Sequence, residues 1–238
     1  MVDQHALVGA FEDFADATLH AYDIGEMLYR VTDQVVEVLD IDGAGVSLAR
    51  GGEALQFVTA TDRRAATIED AQLSEREGPC QQAFHDGKQV AVGDLEEDCP
   101  WPDYGRAALD RGIRAVAGLP MPVGRDRIGA MDLYRAAPGP WTDEELRVAQ
   151  LLADMASGYI LNNMELSESR SLTMQLQEAL DSRVVIEQAK GMISGRSDMS
   201  PNEAFELLRR HARSTGTRLH DLCRGVVDGD VTPADLHA

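Results

Sequence analysis

Apolar residues recur at two different periods along this chain, and the changes of period divide it. Over residues 4–21 and 23–39 they return every three or four positions, which predicts two amphipathic helices. In the second of these Met27, Leu28, Val31, Val35, Val36 and Leu39 form one stripe. From Ile41 the period shortens to two. IDGAGVSLAR and EALQFVTATD, joined by Gly51 and Gly52, read as the strands of an antiparallel hairpin. A short polar helical stretch follows, then REGPCQQAFHDGKQVAVGDL, in which Pro79 stands where a helix can start and Gln89 to Val92 make a short strand. EEDCPWPDYGRAALDRGIR predicts a loop running into a short helix. AVAGLPMPV and RIGAMDLYR are two more strands, with a turn at Gly124, Arg125 and Asp126 between them.

AAPGP breaks the pattern, and Thr142 with Glu145 then gives a capping-box signature that starts a helix near residue 142. This helix has no obvious end. Leu166, Leu172, Leu176 and Leu180 carry its apolar stripe onward, weakened only at the polar ELSESRS, residues 165–171. A helix of about 40 residues spans about 60 Å at roughly 1.5 Å per residue, a length that suits a coiled coil between two protomers. The alternative is two helices broken near 165–171. Three short helical patterns close the chain: SRVVIEQAKGMISGR, SPNEAFELLRRHARSTG and TRLHDLCRGVVDG. In the first, Val185, Ile186, Ala189, Met192 and Ile193 face a core, while Arg183, Lys190 and Ser194, with Glu187 between them, fall opposite. The second starts at Ser200-Pro201 with Glu203 three residues past the cap and ends at Gly216; Thr217 is placed to cap the third. The class is α+β: a sheet-containing domain over 1–162, a coiled-coil connector over 163–182 continuous with the helix from about 142, and a helical module over 183–238.

Charge sharpens this division. The net charge of −19 is carried by residues 1–182, with 14 basic against 33 acidic residues, whereas 183–238 hold eight of each. An acidic body repels nucleic acid, so only the last module can approach a phosphate backbone, and through a local patch. No apolar run reaches the roughly 18 residues of a membrane span, and the acidic, interrupted start is no signal peptide. A cytoplasmic protein without membrane contact is expected.

Candidate chemistry is sparse. Cys80, Cys99 and Cys223 are odd in number and far apart, so they form neither a disulfide framework nor a CxxC metal site, and the histidines show no ligand spacing. No metal and no cofactor are expected. Cys80 stands at a possible helix start, where the helix dipole lowers a thiol pKa, and Cys99 can act as a resolving thiol; a redox sensor or reductase is therefore one alternative to a non-enzymatic role. The other reading of Cys80 is a small buried residue plugging a helix–sheet contact.

EGPCQQAF (77–84), VAVGDL (90–95), CPWPDYGRAAL (99–109), GIRAVAGLPMPV (112–123) and IGAMDLYR (128–135) resemble the GAF domains of bacterial regulators. The resemblance implies an antiparallel sheet with helices on one side and a ligand-sized cavity on the other, a sensor of a small molecule or a partner protein, with Cys80 and Trp101 in the ligand region. R-x-x-I-E-x-A-K-G-M, S-x-x-E-A-F-x-x-L-R-R and the final L-x-x-L-C-R-x-V-V resemble the ANTAR module of transcription antitermination regulators, over 172–229. That resemblance implies a dimer that binds the stem-loops of a nascent RNA, with Arg183, Ala189, Lys190, Gly191 and Arg209 in the motif. Arg210 and Arg213 join them from the helical face. A DNA-binding helix-turn-helix over 200–227 is the competing reading, but its would-be recognition helix pairs Arg218 and Arg224 with Asp221 and Asp228, poor equipment for base-edge readout.

Overall fold

The computed structural model of the chain describes residues 2–20, 23–50, 54–124, 126–166, 172–197, 199–233 and 235–237, the side chains at 20, 50, 163–166, 172–181 and 237 excepted. It divides into two compact units, Met1–Leu176 and Gln177–Ala238, a boundary that falls inside the expected connector.

In the first unit the two amphipathic patterns become α1 (Gln4–His20) and α2 (Ile24–Leu39). Asp23 starts α2 by accepting the Gly25 N–H at 2.8 Å. There follow β1 (Gly43–Arg50), β2 (Ala54–Ala60), α3 (Arg63–Glu75), α4 (Pro79–Asp86), β3 (Val90–Val92), α5 (Pro102–Leu109), β4 (Ala115–Val123), β5 (Asp126–Arg135) and α6 (Asp143–Leu166). The strands form one antiparallel sheet in the order β2-β1-β5-β4-β3. Central β4 and β5 are buried almost residue by residue, Ala115 to Met121 and Ile128 to Tyr134. Continuous burial means cover on both faces. Alternation sends Ala130, Asp132 and Tyr134 to the face under α3 and α4, and Met131 and Leu133 to the other, where α2 and α6 pack on each other and on β1 and β4. The single helical face implied by the family resemblance is thus two. α6 opens on the expected capping box: the Thr142 hydroxyl accepts the Glu145 N–H at 3.2 Å, and the Glu145 carboxylate accepts the Thr142 N–H at 2.8 Å.

The second unit takes in most of α7 (Leu172–Arg196), then α8 (Pro201–Thr215), α9 (Leu219–Asp228) and a 3-10 turn at Asp235–His237. Ser200 and Glu203 form a reciprocal capping box at the start of α8, and Gly216, in the left-handed region at φ 66°, ends it. α9 starts at Arg218 with no side-chain cap, contrary to expectation: the Thr217 hydroxyl is hydrogen-bonded instead to that of Thr215 at 3.1 Å. α8 and α9 bury Ala204, Phe205, Leu208, Leu219, Leu222 and Val226 as they pack together. In α7 Val185, Ile186, Ala189 and Ile193 are buried as expected, with Met192 half-buried. The expected passage of one helix through ELSESRS falls on residues 167–171, outside the described residues. Leu166, Leu172, Leu176 and Leu180 are helical in backbone, and their side chains lie outside the described set.

Candidate functional site

The basic residues of the second unit have unequal access. Positions 209, 210 and 213 of α8 fall within an arc of about 100° on a helix of 3.6 residues per turn. Arg210 and Arg213 are exposed; Arg209 is half-buried, 3.4 Å from Glu206. Gly191 is exposed on α7, and a Cβ there would meet nothing within 4 Å. Among the described residues, therefore, no close helix packing depends on this glycine. Arg183 is half-buried.

Two members of the predicted set differ from expectation. Ala189 is fully buried, so it supplies packing and no surface for a contact. Lys190 is only 9 % exposed. Its ammonium pairs with Glu187 at 2.8 Å and stands 5.4 Å from the centre of the Phe205 ring on α8. The helical period placed Lys190 opposite the core, but a four-carbon stem can lie along apolar surface while its head stays polar.

In the first unit the polar face of α3 is turned inward. Glu69, wholly buried, accepts three hydrogen bonds: from the Tyr134 hydroxyl at 2.8 Å, the Ser47 hydroxyl at 3.1 Å and the Gln72 amide at 3.0 Å. The same Gln72 amide donates to Asp132 at 2.5 Å, and its carbonyl accepts the Cys80 N–H at 3.1 Å. Gln72 thus ties α3 to β5 and to the start of α4. Two glycines make room. A Cβ on Gly45 of β1 would overlap the Glu69 carboxylate, and one on Gly118 of β4 would overlap the Pro79 carbonyl. Burial pushes Glu69 up to about 7 against those three donors. Asp132 lies well above the usual carboxylate range, through burial first and the Glu69 charge second.

This cluster decides the status of Cys80. The thiol is fully buried and follows Pro79 at the start of α4, yet burial and the charges of Asp132 and Glu69 push it well above its ordinary value. The expected dipole activation is overridden by desolvation, and Cys80 is no ready nucleophile. Cys99, half-buried, is also raised, chiefly by burial. Trp101 is buried edge-on to Tyr104 at 5.8 Å, and Tyr104 is close enough to Asp132, Glu69 and Cys80 for their charges to raise its pKa behind the effect of burial. Trp101 packs in one core cluster with Tyr104, and Cys80 packs in another, where it adjoins the buried polar cluster. Its polar members, Glu69, Gln72, Asp132 and Tyr134, are absent from the sequence-based site. The available signal was an acid in the middle of the apolar strand IGAMDLYR. A separate surface cleft of about 570 Å³ is lined by Asp94, Glu97, Asp98 and Trp141 among others.

The chain thus joins an α+β unit with an internal polar cluster to a helical unit that carries an exposed arginine arc on α8. The chain belongs to the GAF domain family, whose model matches residues 23–160, and it carries an ANTAR domain over residues 174–227. The first is a sensory domain and the second an RNA-binding antitermination domain. No curated protein matches the chain. Among solved structures, the free methionine-R-sulfoxide reductase of Neisseria meningitidis in complex with its substrate is 18% identical, with a TM-score of 0.55 over 70% of this chain and 96% of that one. The GAF domain of an Acinetobacter phosphoenolpyruvate-protein phosphotransferase is 12% identical, with a TM-score of 0.52 over 68% and 97%. A GAF domain of Synechocystis in its photoproduct state is 17% identical, with a TM-score of 0.51 over 63% and 100%. At these identities they share the fold.

Proposed function

We propose that this protein is a cytoplasmic regulator, not an enzyme, that acts as a homodimer on paired stem-loops of a nascent transcript and prevents the competing terminator hairpin from forming. The GAF unit senses a small molecule or a partner protein. The helical stretch from about 142 to 182 pairs two protomers and carries the signal to the output units, whose RNA surface comprises Arg183, Lys190, Gly191, Arg209, Arg210 and Arg213. The observation that carries this reading is the exposed arginine arc of α8 inside the ANTAR match. Guanidinium planes stack on the splayed bases of small loops and also contact phosphates. The open space beside Gly191 gives a base or backbone room to approach. The non-enzymatic reading is supported by the burial of Cys80, which leaves the reductase alternative without an accessible thiolate there.

The test is binding of the full chain to an RNA with two adjacent small-loop hairpins, to one hairpin alone, and to duplex DNA of equal length. The expected order is two hairpins, then one, then DNA, with two protomers per two-hairpin RNA by sedimentation. Equal affinity for DNA would return the helix-turn-helix reading, and a chain that stays monomeric on the RNA would remove the dimer.

A further inference from the structure

Buried acids elsewhere in the first unit have a cation. Glu26 pairs with Arg30 at 3.1 Å, and Glu145 with Arg135 at 2.6 Å. Glu69 and Asp132 differ. The groups acting on them most strongly are burial, Tyr134, Ser47, Gln72, Cys80 and one another, and none of these is a cation. Two carboxyl groups and a thiol taken out of water with only neutral donors call for protons or a metal ion. The geometry suits the ion. One ligand atom each from Glu69, Cys80 and Asp132 all lie within 4.8 Å of one another, so side-chain rotations of less than about 1 Å at each atom bring them to one ion at about 2.0–2.3 Å. Two further buried atoms want a partner. Among the described residues, Asp132 Oδ1 and the Tyr104 hydroxyl are buried without a hydrogen bond.

We propose that Glu69, Cys80 and Asp132 form a binding site for one divalent transition-metal ion of the zinc type inside the sensor unit. A thiolate in the set favours a borderline ion over Mg²⁺ or Ca²⁺, which take all-oxygen shells. The shell behind the ligands is already built: Gln72 and the Ser47 and Tyr134 hydroxyls orient the Glu69 carboxylate, and Gln72 also fixes Asp132 and the Cys80 backbone. The exchange balances. One M²⁺ enters, and each ligand that carries a proton releases it to solvent as its lone pair goes to the ion. Nothing is oxidised or reduced. Affinity therefore rises with pH for as long as a ligand proton has to leave. The ligands come from α3, α4 and β5, which explains why no metal spacing is visible along the chain. This inference concerns the sensor unit alone and is independent of RNA binding.

The test is to refold the full chain under reducing conditions with Co²⁺ as probe and read the sulfur-to-cobalt charge-transfer absorption. One ion per chain is expected, displaced by Zn²⁺ and not by Mg²⁺. Cys80→Ser should abolish the band and Asp132→Asn should weaken binding by a hundredfold or more. A Cys99→Ser, Cys223→Ser double variant, which leaves the cluster intact, should keep the band. No band in the wild-type chain, a band that survives Cys80→Ser, or a band lost from the double variant would each overturn the proposal.

Discussion

Glu69 and Asp132 carry acid without a counter-charge in the interior of the first unit, whereas Arg210 and Arg213 carry base at the surface of the second. The two arrangements cost and offer different things. A buried acid makes stability depend on protons or ions, because its charge has nowhere to spread. An exposed arginine contributes little to folding and is available to an outside phosphate. The net charge of −19 comes from residues 1–182, yet the charges that matter to this comparison are the few removed from water and the few on one arc of α8.

The largest expected effect tests the buried side. The folded pKa of Glu69, about 7, lies above the ordinary value of 4.5, so between those values the native state holds a proton that the unfolded chain has released. The associated stability is fully present below about pH 4.5 and is lost as pH rises through about 7. With a chelator present, that loss is worth about 3 kcal/mol, taking 1.36 kcal/mol per pKa unit. Both tryptophans, Trp101 and Trp141, lie in the first unit, so denaturant unfolding followed by tryptophan fluorescence reads this unit selectively. Glu69→Gln should flatten the profile over that window. An unchanged slope in the variant would mean that the buried acid does not set the pH response.

The difference between the two regions also explains what the sequence made legible. Helix starts at Thr142 and Ser200, and the stop at Gly216, depend on neighbours within a turn, and they were readable from local pattern. The strands followed from their period. The cluster depends on long-range register: Ser47, Glu69, Cys80 and Asp132 meet because β1 and β5 pair, α3 packs on β1 and β2, and α4 packs on β4 and β5. Glu69 and Gln72 sit in a stretch whose polarity reads as a solvent face, and the glycines facing them, Gly45 against Glu69 and Gly78 against Gln72, record that something bulky is housed there. At Lys190 the period gave the direction of the Cα–Cβ bond, and the length of the side chain then brought the ammonium back over Phe205.

A smaller effect tests the exposed side. Arg210→Ala with Arg213→Ala should lower affinity for the two-hairpin RNA by about tenfold, which corresponds to about 1.4 kcal/mol. The dependence of affinity on salt should become shallower, by about 0.7–0.9 in logarithmic slope per lost phosphate contact. Stability should move by no more than about 0.5 kcal/mol, as for surface substitutions generally. Lost stability with unchanged RNA affinity would reverse the contrast and make the arc a structural feature.

Lys190 lies between the two regimes, and the smallest effect is therefore the most discriminating. Lys190→Met keeps an apolar stem against Phe205 and removes the charge that Glu187 holds at 2.8 Å. If the ammonium serves RNA, affinity should fall several-fold while thermal stability of the second unit stays within about 0.5 kcal/mol of wild type. Glu187→Gln should then do the opposite, raising affinity modestly by removing the competing carboxylate. If Lys190 is instead part of the α7–α8 contact, Lys190→Ala should cost more stability than Lys190→Met through lost packing, and RNA affinity should follow stability in all three variants. Measuring both quantities on the same three proteins separates a cation that is held in place for RNA from one that is held in place for the fold.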